Sequence, residues 1–487
     1  MIDPDAFELH TVNNWENSNA EEQMVIVRSN QERARKGVGY WNEWTAGLRR
    51  WADGNSATAC IYFDDSKWCS NTNFRGFQFH TQVSFLRSRF VGDRARMEYV
   101  DFSNVVFHAE VGFVDATFTD VSVIFENTIF QGHTDFSHAA FKRRHLTFAN
   151  AKFLGDLSFE SAKCRDCTTS FAGVEFRGGA IFNYTAFSRS VDFSEAIFTG
   201  SQTLFEEIAC DRLFANFAGA EFSARVNRFR HLKFSKVDFR RAAFARNVVF
   251  RDVRFQGRCD LENADFREVL NFINCTFELV PDFNFVTFKQ PPHLATMCIP
   301  WLPIGNCDAP NTEAYRALKQ MAKDVGDHHH ELKYFAYEMH SKLYLDSTSK
   351  THKVGIFMYR VLSDFGQSLA RPLAWALLLF VFTAVIQWTA LAERPSFPHI
   401  EDGWQLSCKR ENEQMNPYSA IARERLNAAL IFLPADKTEP ARVSTCLYGD
   451  EGYKPFWFKV LNSLHSLLSA ACLFLFGLGV RNRFKMK

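Results

Sequence analysis

The sequence has no surplus of charge of either sign. Its 487 residues carry 56 Lys and Arg against 55 Asp and Glu, so bulk charge selects no partner. It lacks a phosphate-binding glycine loop, a nucleophile elbow and a metalloprotease helix, and nothing in it argues for catalysis. The opening stretch "MIDPDAFELHTVNNW" has neither a basic patch nor an apolar core, which predicts no secretory signal peptide. Complete metal patterns are missing too. "CRDC", Cys164 to Cys167, is a lone CxxC where zinc needs about two further ligands, so core cysteine is expected. "DHHHE", Asp327 to Glu331, can place His328 and Glu331 on one helical face, but a polar helix start is the simpler role. The expectation is a chain with no cofactor and no metal that is not an enzyme.

Phenylalanine is what the chain has in excess. There are 52, and 38 of them lie between Phe74 and Phe288. In "FSNVVFHAEVGFVDATF" they fall at Phe102, Phe107, Phe113 and Phe118, on steps of five and six. Such steps fit neither a helix, which realigns every three or four residues, nor a strand, which realigns every two. Groups of four open at Phe79, Phe102, Phe125, Phe148, Phe171, Phe193, Phe217, Phe239, Leu261 and Phe283, spaced 22 to 24 residues apart. A small or β-branched residue precedes many inward positions by two, as at Val105, Ala116, Ala139, Ala151, Ala196, Ala220, Ala242 and Ala264. Four inward residues per period describe a coil with four short sides that hides its rings only by stacking on the next coil. Each buried phenylalanine contributes roughly 1.5–3 kcal/mol. Some nine coils at strand spacing make a rod of roughly 45 Å.

The segments "AAFARNVVFRDVRF" and "SEAIFTG" resemble the phenylalanine-rich variety of the pentapeptide-repeat family. The resemblance implies a mainly β chain, a right-handed quadrilateral β-helix, with one residue inserted on some sides. It extends to helices flanking the repeats in membrane-bound bacterial members.

The organisation then follows along the chain. Residues 1–58 form a helical cap, in which Asn30 to Ala52 is a helix packing Trp41, Trp44 and Trp51 on the first coil. Residues 59–290 are the β-helix and 291–311 a proline-rich linker. Residues 312–371 hold two helices broken near Gly326, with Asn311 or Thr312 as the first N-cap and Asp327 as the second start. Residues 372–392 and 457–480 are transmembrane helices; Pro372 to Ala392 has 21 uncharged residues, about 32 Å as a helix. The basic tail 481–487, "RNRFKMK", favours the cytoplasmic side of a bacterial inner membrane. Two spans put both termini and the rod there, and the loop 393–456 outside. Cys408 and Cys446 in that loop can pair in an oxidising compartment or stay free.

Charge is unevenly placed. From Arg225 to Arg258 there are eleven Lys or Arg against Asp238 and Asp252. The repeat places Arg230 and Arg251 at equivalent positions one coil apart, as it does Lys233 and Arg254, with Arg240, Arg241 and Arg246 nearby. Such a patch suits anionic lipid headgroups or a phosphate-bearing protein or nucleic-acid partner, or is simply a solvated surface. It counts against DNA mimicry, a role the family resemblance suggests, because mimicry needs an acidic rod. In the second span Lys459, Asn462, Ser466 and Ser469 fall on one face with His465 and Ser463 beside it, which predicts self-association into a homo-oligomer or a water-lined path. "YSAIARERLNAALIFLP" has an amphipathic pattern between the spans, but no potassium filter follows it. Two functions stay open: a membrane-tethered scaffold, or an oligomeric effector whose hairpins form or gate a leak.

Overall fold

The computed structural model describes residues 10–485 apart from 70, 189, 209–212, 291, 294–296, 302–308, 393–405, 408–413, 416, 430–442, 444–446 and 449–455. It divides into two compact units, Met1–Gly326 and Asp327–Lys487.

The first unit is built on four parallel sheets of ten, six, twelve and ten strands, wound as a β-solenoid of about ten turns. Strands are two to six residues long because each side must end at the next inward ring. Corners recur in register: Asn104, Asn127 and Asn150 hold φ of 58°, 55° and 57° on successive turns. Asparagine tolerates this left-handed backbone better than most residues. Strand spacing then sets ring spacing. Phe102 stacks on Phe125 at 4.7 Å and 7°, while adjoining columns meet edge to face, as Phe113 and Phe125 do at 5.8 Å and 80°. Both arrangements suit the ring quadrupole. The small residues of the pattern, Val105 and Ala116 through Ala264, are all fully buried beside the rings.

One turn departs from the expected period. Phe79 pairs with Phe107, not Phe102, and Phe74 stacks on Phe102 at 4.8 Å. Phe79 therefore does not open a group, and that turn has 28 residues because Gly92 to Glu98 bulge out between the strands Arg89–Val91 and Tyr99–Asp101.

The open end of the rod is closed by helices α1 (Val12–Asn17), α2 (Ala20–Arg35) and α3 (Val38–Gly54). The single helix expected over Asn30 to Ala52 is two, because Gly37 takes φ 97° and turns the chain. Trp41 lies 5.2 Å from the Phe79 ring and 5.5 Å from Phe77, and Trp44 is buried, whereas Trp51 is only half-buried. Polar side chains satisfy the free strand edges. Asn42 Oδ1 accepts from Gln78 N at 2.7 Å, Thr45 Oγ1 donates to Gln78 O at 2.8 Å, and Asn30 Nδ2 donates to Tyr62 O at 3.0 Å. Beyond the last strands, α4 (Ala309–Asp324) buries Ala314, Tyr315, Leu318 and Ala322. It starts before the expected caps, so Thr312 lies inside it.

The second unit is helical: α5 (His328–Tyr344), α6 (Lys350–Ser363), α7 (Ala370–Ala392), α8 (Pro417–Ala429) and α9 (Phe456–Lys485). Asp327 is the N-cap of α5, accepting from His330 N at 3.1 Å. Helices α7 and α9 are long and apolar enough to cross a membrane. They run antiparallel. Thr383 meets His465 near their middles, and a Cβ on Gly479 would stand 2.8 Å from Leu369 at the far end. Glycine there lets the end of α9 approach the start of α7. Leu377, Leu378, Val381, Phe382 and Val385 are each more than half exposed, an outward apolar belt that suits lipid and not water.

Candidate functional site

Function on the rod falls to its outer faces, because stacked rings fill its axis. On the basic stretch the sheet register sets Arg230 beside Arg251 and Lys233 beside Arg254. The neighbouring turns also bring in acids that are 22 to 24 residues away in sequence. Arg246 Nη1 meets Glu268 at 3.2 Å, Arg254 Nη2 meets Glu278 at 2.8 Å, and Arg258 Nη2 meets Asp282 at 3.2 Å. Within its own turn Arg240 Nη2 pairs with Asp238 at 2.6 Å. Three of the seven candidate cations, Arg240, Arg246 and Arg254, are thus neutralised. Among the described residues Arg230, Lys233, Arg241 and Arg251 make no ion pair, and the buried Nε of Arg230 has no hydrogen-bond partner. Arg230, Arg251 and Lys233 flank one corner. Arg241 stands at the next corner, beyond the strand Lys233–Asp238, with φ 58°.

The metal-like motifs have local roles. Cys164 takes the inward position between Phe141 and Phe187. Burial pushes both thiols of the CxxC up, Cys167 to about 12, the environment of core cysteines. His328 Nδ1 lies 3.0 Å from Glu331 Oε2, and His330 Nδ1 lies 2.8 Å from Asp327 Oδ2, which ties the start of α5 to itself. Cys408 and Cys446 lie outside the described residues.

Between α7, α8 and α9 there is a buried polar seam. His465 Nδ1 is 3.0 Å from Thr383 Oγ1, and Thr383 gives its hydroxyl proton to Leu379 O at 2.8 Å. Among the described residues the other ring nitrogen, Nε2, is buried with no hydrogen-bond partner. Asn462 Oδ1 and Ser469 Oγ are likewise buried without a hydrogen bond among the described residues. The predicted stripe thus turns partly inward, to α7. Ser469 lies on the buried side with His465, Ser466 is half-buried, and Lys459 is exposed and off the seam. Sequence reasoning missed the partners. Gln387 Nε2 donates to Glu424 Oε2 at 2.7 Å and to the Tyr448 hydroxyl at 2.8 Å, while Arg425 Nε donates to Gln387 Oε1 at 2.7 Å. Thr383 and Gln387, four residues apart in a largely apolar run, were the available signal.

The family model of pentapeptide repeats, nine copies, matches residues 93–140 and 148–197. The rod is a pentapeptide-repeat solenoid. No curated protein and no solved structure matches the chain. Within the pentapeptide rod the ring columns run on past the matched residues, as far as Phe266 on Phe288 at 5.3 Å.

Proposed function

We propose that the chain is a non-enzymatic, membrane-anchored scaffold whose pentapeptide rod presents a rigid basic face to a phosphate-bearing partner. The observation that carries this is Arg230 in register with Arg251, neither of them ion-paired among the described residues, while Arg246 and Arg254 are. Two like charges held on a stiff sheet keep their field without the entropy cost of ordering a loop. Helices α7 and α9 set the chain in a bilayer, and their antiparallel pairing puts the start of α7 and the basic end of α9 on one side. Four basic residues in the last seven favour the cytoplasm for that side, in the inner membrane of a bacterium. Asn462 and Ser466, only half-buried, are the polar groups available to a second copy of the hairpin.

The test uses the full chain in nanodiscs of neutral lipid, titrated with a fluorescent oligonucleotide and with inorganic polyphosphate. Arg230→Ser with Arg251→Ser should weaken binding and flatten its salt dependence, whereas Arg246→Ser, at a paired cation, should do neither. Equal binding by the double variant and the parent would remove the basic face from the proposal.

A further inference from the structure

The 28-residue turn creates a feature that the regular turns do not have. Compared with Phe118 to Phe125 on the next turn, the same path from Phe90 to Phe102 is five residues longer. The extra chain is held firmly. Arg144 Nη2, from two turns away, donates to Arg94 O at 2.9 Å and to Arg96 O at 2.8 Å. Ala95 N donates to Asp93 Oδ1 at 2.9 Å, and Asp93 N to Glu98 Oε2. Beneath the pinned loop is a cleft of about 480 Å³ lined by Arg94, Asp120, Arg143, Arg144, Asp166, Cys167 and Thr168.

From these features we infer that the cleft is a binding site for a small phosphate monoester that also carries hydroxyl groups, a sugar phosphate or a nucleotide. Its volume falls within the usual range for small-ligand pockets, roughly 300–1,000 Å³. Three arginines, Arg94, Arg143 and Arg144, line it, and guanidinium matches phosphate in bidentate geometry. Arg94 makes no ion pair among the described residues, so its charge is available. Arg143 shares Asp120, at 3.2 Å. Asp120 is 8% exposed and leaves Oδ1 without a donor, and Asp166 on the rim has no ion pair among the described residues. A bare anion would satisfy the arginines and be repelled by these carboxylates. A phosphate ester meets the arginines and offers its hydroxyl donors to the exposed Asp166 carboxylate.

The full chain in detergent is titrated calorimetrically with inorganic phosphate, glucose 6-phosphate and adenosine monophosphate, with glucose and adenosine as unphosphorylated controls. The expected result is binding of at least one ester, tighter than inorganic phosphate and absent for both controls. Arg94→Ser should weaken it about tenfold or more, the loss of one charge-assisted hydrogen bond. Deleting Asp93 to Met97 restores a regular turn and should abolish binding while circular dichroism stays that of the parent. Arg230→Ser with Arg251→Ser should leave it unchanged, which separates this cleft from the basic face. No binding of any ester at millimolar concentration, or undiminished binding after the deletion, would overturn the assignment. Preference among the esters that bind distinguishes a sugar phosphate from a nucleotide.

Discussion

Phe148 lies face to face with Phe125 at 4.8 Å and 3°, and both rings are fully buried. The contact repeats up the column, so each ring is a partner for the turn above and the turn below. Phe148→Ala opens a cavity that the two neighbouring turns cannot close without losing strand register. It should cost about 3–5 kcal/mol. Thermal unfolding of the full chain in detergent checks this, with Phe285→Ala, at a ring that is 78% exposed, leaving the midpoint unmoved.

Trp41 closes the first turn as a substitute for the turn that would precede it. Trp41→Ala should expose the Phe77 and Phe79 rings and free the strand edges that α3 covers. Hydrogen exchange should accelerate from Cys60 to Phe79 first and leave the middle of the rod protected. Concentration-dependent aggregation should accompany it.

His10 is 1% exposed, with its ring edge-on to Trp44 at 5.2 Å. Burial first, and then the Arg33 charge, pull its pKa down to about 3. The unfolded chain takes up a proton as pH falls below about 6.5, and the folded chain does not until about pH 3. Stability from this group is therefore full above that window and is lost on acidification through it, by about 1.4 kcal/mol per pH unit. His10→Gln should flatten this part of the profile. An unchanged acid slope would show that His10 does not supply it.

Gln387 joins three elements, accepting from Arg425 and donating to Glu424 and Tyr448. Gln387→Leu keeps the bulk and leaves a buried guanidinium without that acceptor, which should cost about 1.5–3 kcal/mol. Proteolysis of the detergent-solubilised chain should then release α8 from the α7–α9 pair. Lys459→Gln, at an exposed position, should have no such effect.

The ring columns were legible because burial in a solenoid is periodic along the chain, and Phe102, Phe125 and Phe148 announce their contacts by spacing alone. Spacing failed at Phe79, where the count from Phe102 is right but the register is wrong. Five inserted residues leave hydrophobic steps on both sides intact and shift only which ring meets which. Charge was harder to read. Arg246 and Arg254 look unopposed in sequence, yet Glu268 and Glu278 stand beside them one turn on.

By itself the sequence determined the coil, its rings, the helices at the ends and the two long apolar helices, since each follows from which side chains must leave water. Tertiary structure alone decided which cations stay unpaired, where Arg144 pins the inserted loop, and that His465 faces Thr383. Those outcomes depend on contacts across turns and between helices, set by register and side-chain direction, and hydrophobic periodicity along one chain specifies neither for a polar group.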